Sequence, residues 1–412
     1  MNVKSGGVLL ALLASGVAAP ASAGDFRVVL ETEGSVRSDG NYDQVERPDG
    51  LEDEGEENVA RAGLNLRLSY QLPRWNLAMG YFPSYEWVLD NSEVHGTTHR
   101  LDLGLTGNLT RRLEMQVRER LLSSPGLDLY SPFLAAEPVA VTRRGDQLNH
   151  ALDVGLTQSL TRRTAVLLGA THTLRTFESE DFSDTETLAA RIGVGVELAE
   201  DRRLDVLATA GTYDFGGSPA EPAGREADVQ TLGAGWQQPF LRDGRFRVEA
   251  GLFNLAPDEG SEQTGWRGAM ELSRQLELFG WSLGARHDVS AGAGLGRATE
   301  VDSAFAGLST NVGRQLVLGL DGSFSRHDDL ENESRILESS AGTARFSWSF
   351  STLARLTGGY SRIWQESRIE PFEDLSYSRY FLGLALQLYR SGEEPMDPAR
   401  QEEPEDDEPD AQ

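Results

Sequence analysis

Apolar residues alternate with polar or very small residues along most of the chain. In one segment, Leu101, Leu103 and Leu105 are separated by Asp102 and Gly104. The same period of two recurs in segments 62–70, 152–156, 188–197 and 382–388. Successive side chains of a β-strand point to opposite faces, whereas an amphipathic helix needs apolar residues three and four positions apart. The pattern therefore predicts an all-β protein whose strands have one apolar and one polar face.

The predicted strands are long enough to cross a membrane. Many run for about ten residues or more, as a tilted transmembrane strand requires, whereas strands of soluble sandwiches average about five or six. Aromatic residues near the segment ends suit the two headgroup levels of a bilayer. They are Trp75, Tyr85, Trp87, Phe279, Trp281, Trp348 and Phe350. A transmembrane barrel, closed because lipid leaves no edge strand satisfied, is favoured over a soluble sandwich or solenoid.

Short turns alternate with longer loops rich in Asp, Glu, Ser and Gly. The eight turns lie at 72–74, 110–112, 161–163, 200–202, 242–244, 275–277, 312–314 and 351–353. The nine loops are 38–57, 90–97, 125–145, 178–185, 216–225, 256–263, 289–298, 327–334 and 366–374. Together they predict an antiparallel up-and-down barrel of 18 strands over residues 24–390, with its short turns in the periplasm. A barrel of 16 strands stays the alternative.

The two ends of the chain differ in composition from the strands. Residues 1–23 combine a basic start, an apolar stretch and an Ala-Ser-Ala site, which is the order of a cleaved secretory signal peptide. Residues 391–412 contain ten acidic residues, one Arg and four prolines. Such a composition predicts an acidic, disordered periplasmic tail. The tail is either simply solvated or docks onto a basic periplasmic partner.

Composition and charge exclude several classes of protein. The 412 residues have a formal net charge of −27, from 38 Lys and Arg against 65 Asp and Glu. A nucleic-acid partner is therefore not expected, since it would require a net basic surface. The chain has no cysteine, which excludes disulfides, thiolate zinc sites and cysteine nucleophiles.

No motif points to catalysis, a metal or a cofactor, so we predict none of them. The six histidines are scattered, and His95 and His99 lack the helical spacing of paired metal ligands. Residues 39–43 begin like a calcium loop, but Gln44 stands where glycine is required. The glycine-rich segment 292–296 lacks the last glycine and the helix of a dinucleotide site. A hydrolase on a barrel scaffold stays a minor alternative.

Arginine is prominent on the polar face of the predicted strands, interleaved with carboxylates. One interpretation is cross-strand ion pairing that fills and rigidifies the wall. The other is a water-filled lumen whose guanidinium groups bind carboxylates or phosphates of a passing solute, with the loop 125–145 folded inward as a constriction. The lumen-lining candidates are Arg61, Arg67, Arg100, Arg118, Arg120, Arg191, Arg247, Arg267, Arg286 and Arg345.

Several short motifs resemble outer-membrane barrels encoded with exopolysaccharide-secretion systems, including those associated with PEP-CTERM sorting. The motifs are Tyr81-Phe82-Pro83-Ser84-Tyr85, Asp90-Asn91-Ser92, Thr98-His99-Arg100 and Leu109-Thr110-Arg111-Arg112-Leu113. The last strand, with Gly383, Leu386 and Leu388, is similar to strands that the barrel-insertion machinery recognises, although Phe381 takes a usually polar place. The resemblance implies a role in polysaccharide export or in organising the outer membrane, with no catalytic residues.

Taken together, the sequence predicts a barrel in the lipid of the bacterial outer membrane that acts as a passive or partner-gated conduit. An acidic exopolysaccharide is the predicted cargo. Two alternatives stay open, namely a general porin for small solutes and a structural barrel with a plugged lumen.

Overall fold

A computed structural model describes the strands and turns of the protein. It covers residues 25–40, 57–89, 95–124, 147–178, 183–216, 225–241, 243–258, 261–290, 297–330, 335–368 and 375–391. The predicted signal peptide, the loop 125–145, the segment 292–296, residues 41–44 and the tail beyond residue 391 lie outside the described residues. In the described part, no helix is long and apolar enough to span a bilayer.

Eighteen strands follow one another along the chain. They are β1 (Asp25–Gly40), β2 (Glu57–Gln71), β3 (Trp75–Val88), β4 (His95–Asn108), β5 (Leu113–Ser124), β6 (Gln147–Ser159), β7 (Thr164–Phe177), β8 (Thr185–Ala199), β9 (Arg202–Phe215), β10 (Arg225–Phe240), β11 (Gly244–Pro257), β12 (Gln263–Gln275), β13 (Phe279–Ser290), β14 (Thr299–Val312), β15 (Leu316–Asp329), β16 (Arg335–Ser349), β17 (Ala354–Ser367) and β18 (Leu375–Ser391).

Each strand pairs antiparallel with the next, and the last strand pairs with the first. The closing ladder joins Val36 to Leu382 and Arg37 to Phe381, so the sheet has no free edge. The predicted closed barrel of 18 strands is confirmed, and the alternative of 16 strands is wrong. Strand β1 begins, and strand β18 ends, on the side of the barrel where the short turns lie. We call this side the turn end and the opposite side the loop end.

The alternation of residue types gives the barrel two different surfaces. Large apolar side chains cover the outside: Leu232, Leu252 and Leu382 are 59%, 65% and 53% exposed. Such exposure is favourable when the surrounding solvent is hydrocarbon. The Trp75 ring covers Gly107 on the neighbouring strand, where a β-carbon would overlap it. The outside is therefore the lipid-facing surface of an outer-membrane type of barrel.

Several predicted loops are too long at the loop end. Strands continue to Gly40, Pro257, Ser290, Asp329 and Ser367, and β4 already begins at His95. The apolar alternation fades where the bilayer ends, but the backbone ladder continues above it because polar residues hydrogen-bond between strands just as well. The pattern thus marks the limit of the membrane rather than the limit of the sheet.

Tight turns at the other end use a few local devices. The hydroxyl oxygens of Thr110 and Thr161 each accept hydrogen bonds from the amides two and three residues later, at 3.0–3.2 Å. The same pair of side-chain hydrogen bonds thus stabilises the turns 109–112 and 160–163. Gly313 has a φ of 67°, a left-handed conformation that glycine adopts without strain.

Most deeply buried side chains of the described residues lie near the loop end. On β9 to β11, Phe215, Phe253 and Leu255 are 2%, 3% and 4% exposed and pack with Val229 into one apolar cluster. On β15, His327 is 1% exposed. Inward-facing side chains are therefore shielded from water near the loop end and are more exposed further down the wall.

Candidate functional site: the arginine-lined lumen

A cavity of about 1410 Å³ lies inside the barrel. Among the described residues that line it are eleven arginines but only two carboxylates, Glu33 and Asp288. The arginines are Arg37, Arg61, Arg67, Arg100, Arg120, Arg175, Arg267, Arg286, Arg345, Arg355 and Arg379. Most of the other lining residues are neutral, and serine and threonine are frequent among them. The lining of this cavity is thus rich in arginine although the whole chain carries a charge of −27. Carboxylates outside the lining, such as Asp102 and Asp321, pair with some of these arginines.

The structure brings together seven of the ten arginines that the sequence suggested for the lumen. They are Arg61, Arg67, Arg100, Arg120, Arg267, Arg286 and Arg345. Arg118, Arg191 and Arg247 have the same parity on their strands but do not border the cavity.

Sequence reasoning missed Arg37, Arg175, Arg355 and Arg379, all of which line the cavity. These four lie close to strand ends, where the apolar alternation is weak. Arg37 could have been recognised from its position two residues before Asp39, because residues two apart share a strand face.

The arginines are unevenly distributed around the barrel. Strands β16 to β18 and β1 to β5 supply most of them. Strands β7 to β10 instead supply Thr171, Thr173, Thr187, Thr209 and Thr231, with Arg175 as their one arginine among the lining residues described. Because β1 and β10 are diametrically opposite in a ring of 18 strands, an arginine-rich wall faces a wall rich in hydroxyl groups.

At two places on the wall, two arginines share one carboxylate. Asp102 accepts hydrogen bonds from Arg100, at 2.9 Å, and from Arg120, at 3.3 Å. Asp288 is shared in the same way by Arg267 and Arg286, whose nitrogens lie 3.2 and 3.1 Å from one carboxylate oxygen. Each carboxylate serves two cations, so one positive charge stays in excess at each site.

The shared arginines keep much of their surface in water. The side chains of Arg100, Arg120 and Arg286 are 44%, 54% and 46% exposed. Their remaining N–H groups can therefore donate to a solute while the ion pair fixes their position. The same arginines can therefore form ion pairs that hold the wall together and donate hydrogen bonds to a solute in the lumen, so the two interpretations of the sequence are compatible.

Four aromatic residues are among the described residues that line the cavity, namely Phe82, Tyr213, Phe346 and Phe381. Phe82 borders the cavity between two arginines, with the guanidinium carbons of Arg67 and Arg100 at 5.7 and 5.5 Å from its ring centroid. Cation–π contacts of this kind restrict the guanidinium planes. Phe381, which departs from the usual pattern of the last strand, also borders the cavity.

A buried charge network joins the strands that close the barrel. Asp39 on β1 accepts hydrogen bonds from Arg379 on β18, at 2.7 Å, and from Arg37, at 3.1 Å. Glu86 on β3 lies 3.5 Å from Arg37 and 3.7 Å from Arg61 on β2. The carboxylates of Asp39 and Glu86 are 3% and 0% exposed. We call these five residues the seam network; its three arginines also line the cavity.

The histidines do not belong to the seam network, and most of them contact carboxylates or aromatic rings. His150 borders the cavity, and the buried His327 lies 3.4 Å from the Thr299 hydroxyl. His99 is 3.0 Å from the Tyr81 hydroxyl, and His95 stacks on Tyr85. His150 contacts Glu119 at 3.2 Å, and His172 contacts Glu186 at 2.9 Å. In the part of the chain that the structure covers, no group of three or more candidate ligands could hold a metal ion.

Comparisons with known proteins return solved structures only. No protein-family model matches the chain, and no curated protein matches it. OccAB3 of Acinetobacter baumannii has 10% identity and a TM-score of 0.45 over 89% of this chain and 99% of that one. OccK2 (OpdF) of Pseudomonas aeruginosa, in complex with glucuronate, has 13% identity and a TM-score of 0.46 over 89% and 98%. A BenF-like porin of Pseudomonas fluorescens Pf-5 has 12% identity and a TM-score of 0.46 over 88% and 99%.

At these identities the likeness concerns the barrel fold alone. The resemblance to exopolysaccharide-system barrels stays a prediction.

Proposed function

We propose that the protein is a water-filled channel of the outer membrane that passes small solutes and favours anions. The excess of arginine over carboxylate in the cavity lining carries this proposal. A guanidinium group offers a planar set of donors that matches a carboxylate or phosphate. In the low-dielectric surroundings of a barrel wall, such groups raise the local concentration of anions.

The arrangement of the arginines suits passage rather than capture. The donors belong to several strands and stay largely hydrated, so a solute can exchange one guanidinium for the next without a deep energy minimum. Conduction requires binding that is weak and distributed over several sites. The threonine hydroxyls of the opposite wall can bond to the uncharged part of a solute, such as the hydroxyl groups of a sugar acid. We assign no catalytic step to any residue of this channel.

Small solutes are favoured over the acidic exopolysaccharide predicted from the sequence. A polymer would use the same guanidinium groups, but it would have to pass the loop end, where inward-facing side chains such as His327 and Phe215 are covered. This burial supports a passage for single small molecules. Export of an acidic exopolysaccharide stays the second candidate function. Its only support is the resemblance of the sequence motifs.

Replacing Arg100 and Arg120 together by serine is expected to lower the preference for anions several-fold. The substitution removes two exposed cations and leaves Asp102 without its partners, so the local field becomes negative. The reversal potential of purified protein in a planar bilayer under a KCl gradient measures this change. Block of the current by glucuronate, compared with glucose, measures binding of an acidic sugar.

The matched control is Arg362→Ser. Arg362 lies on the other face of β17 from the cavity-lining Ser361 and Ile363, where it donates to Ser376 and Ser378. Its loss should leave the reversal potential unchanged. Equal reversal potentials in the unchanged protein, the double variant and Arg362→Ser would contradict the proposal. The lack of any current above baseline would identify a structural barrel with a plugged lumen.

A further inference from the structure

Three successive turns carry exposed arginines at the turn end of the barrel. They are the connections β2–β3, β4–β5 and β6–β7, at residues 72–74, 109–112 and 160–163. Their arginines are all exposed, and none of the three turns contains an acidic residue. We call this set the arginine arc; it consists of Arg74, Arg111, Arg112, Arg162 and Arg163.

The arc is built differently from the arginine wall inside the lumen. Thr110 and Thr161 fix their turns through their hydroxyl oxygens, so each turn presents two adjacent arginines to solvent. Most lumen arginines are held by carboxylates, as Asp102 holds Arg100. The guanidinium groups of the arc have no ion-pair or hydrogen-bond partner among the residues that the structure describes. The arc is thus a cluster of fully available cations.

The acidic segment of the chain leaves the barrel at the same end. The last residue of β18, Ser391, pairs with Val28, and β1 continues alongside β2 down to Gln71, next to the first turn of the arc. The 21 residues 392–412 contain ten acidic residues and a single arginine, Arg400. Opposite charges therefore meet at one end of one chain.

We propose that segment 392–412 docks across the arginine arc of its own barrel. In an extended conformation of about 3.1 Å per residue, 21 residues reach roughly 65 Å. The far side of the arc, at β7, is seven strand spacings from β18, which is roughly 34 Å at about 4.8 Å each. The segment is long enough to reach every arginine of the arc, and the tether keeps its local concentration in the millimolar range.

Docking has a consequence for transport that rests on the proposed function. An anionic segment bound to the arc competes with anionic solutes for the positive charge at the turn end. The competition is electrostatic between exposed groups, so it weakens as salt shortens the screening length to about 3 Å at 1 M.

Distance measurements between spin labels test the docking directly. The chain has no cysteine, so Ala411→Cys can be combined with Leu109→Cys in the arc or with Leu278→Cys on the opposite side. In nanodiscs of zwitterionic lipid at low salt, we expect a short, narrow distance distribution for the 411–109 pair and a longer one for the 411–278 pair. Both should broaden at 1 M salt.

Substitution of all five arc arginines by serine should broaden the low-salt distributions in the same way. Arg314→Ser removes an exposed turn arginine outside the arc and is the matched control, which should change nothing. Distributions that are broad at low salt, or narrow but insensitive to the arc substitutions, would overturn the proposal and leave the arc to anionic lipid headgroups.

Deleting residues 392–412 tests the consequence separately. At low salt, the glucuronate concentration that half-blocks the current should fall several-fold on deletion, and at 1 M salt the two proteins should coincide. If the barrel carries no current while the label distances narrow as expected, the proposed function fails and the docking stands. If current and block are as proposed but insensitive to the deletion and the labels show no docking, only the docking fails.

Discussion

Replacing Asp39 by alanine is expected to lower the free energy of unfolding by about 3–5 kcal/mol, the range for removing one partner of a buried ion pair. The carboxylate is 3% exposed and lies between Arg37 and Arg379, whose side chains are 11% and 12% exposed. Its loss leaves two neighbouring guanidinium groups with little water and with Glu86, which lies 3.5 Å from Arg37, as the remaining carboxylate of the seam network. Urea-induced unfolding in phosphatidylcholine vesicles, followed by tryptophan fluorescence, measures the change.

The matched control for this substitution is Asp153→Ala. Asp153 pairs with Arg191 at 3.0 Å, but the two side chains are 30% and 40% exposed. Water can solvate the arginine that remains, so a loss of about 1 kcal/mol or less is expected. Equal losses of unfolding free energy in the two variants would show that burial does not determine how much the seam network stabilises the barrel.

The seam network illustrates which contacts the sequence hides. The pair Arg37 and Asp39 can be recognised, since residues two apart share a strand face. The hydrogen bond from Arg379 to Asp39 joins residues 340 positions apart. Its existence depends on how the sheet closes and on the register of β1 against β18, and no local pattern encodes that register.

The membrane-spanning parts of the fold could be predicted closely for a physical reason. Lipid outside and water inside impose opposite demands on successive residues, so the alternation is read directly in segments such as 188–197 and 382–388. Near the loop end both faces meet polar surroundings, and this constraint is lost. The sequence therefore predicts loops where the strands continue through His95 and His327.

The candidate site was predictable in its chemistry but less so in its membership. Parity along each strand identified Arg100 and Arg286, because the apolar neighbours of both are clear. Phe82 was hidden, since an aromatic residue on an apolar-rich strand reads as lipid-facing. Net charge was uninformative about the lumen, because a chain with a charge of −27 surrounds a cavity lined mostly by arginine among its charged residues.

Placing an arginine at Leu232 is expected to cost about 2–4 kcal/mol, as for a cation at the bilayer midplane on the lipid face of a barrel. Leu232 lies near the middle of β10 and is 59% exposed on the outside. Its neighbour Thr231 lines the cavity at the same depth. Thr231→Arg is therefore the matched control. It removes the hydrogen bond from Arg267, at 3.3 Å, and adds a second cation there, but water in the lumen solvates both groups, so its cost should stay well below that of Leu232→Arg.

Folding of both variants into vesicles and their unfolding in urea give the two free energies. The two positions are adjacent in sequence and lie at the same depth in the membrane, but their side chains point to opposite sides of the wall. A difference in cost therefore reports the surroundings of each face rather than the depth. A large loss for Leu232→Arg alone requires hydrocarbon outside and water inside. Equal costs at the two positions would contradict the lipid-facing outer surface, and with it the arginine-lined channel, since the same alternation assigns both faces.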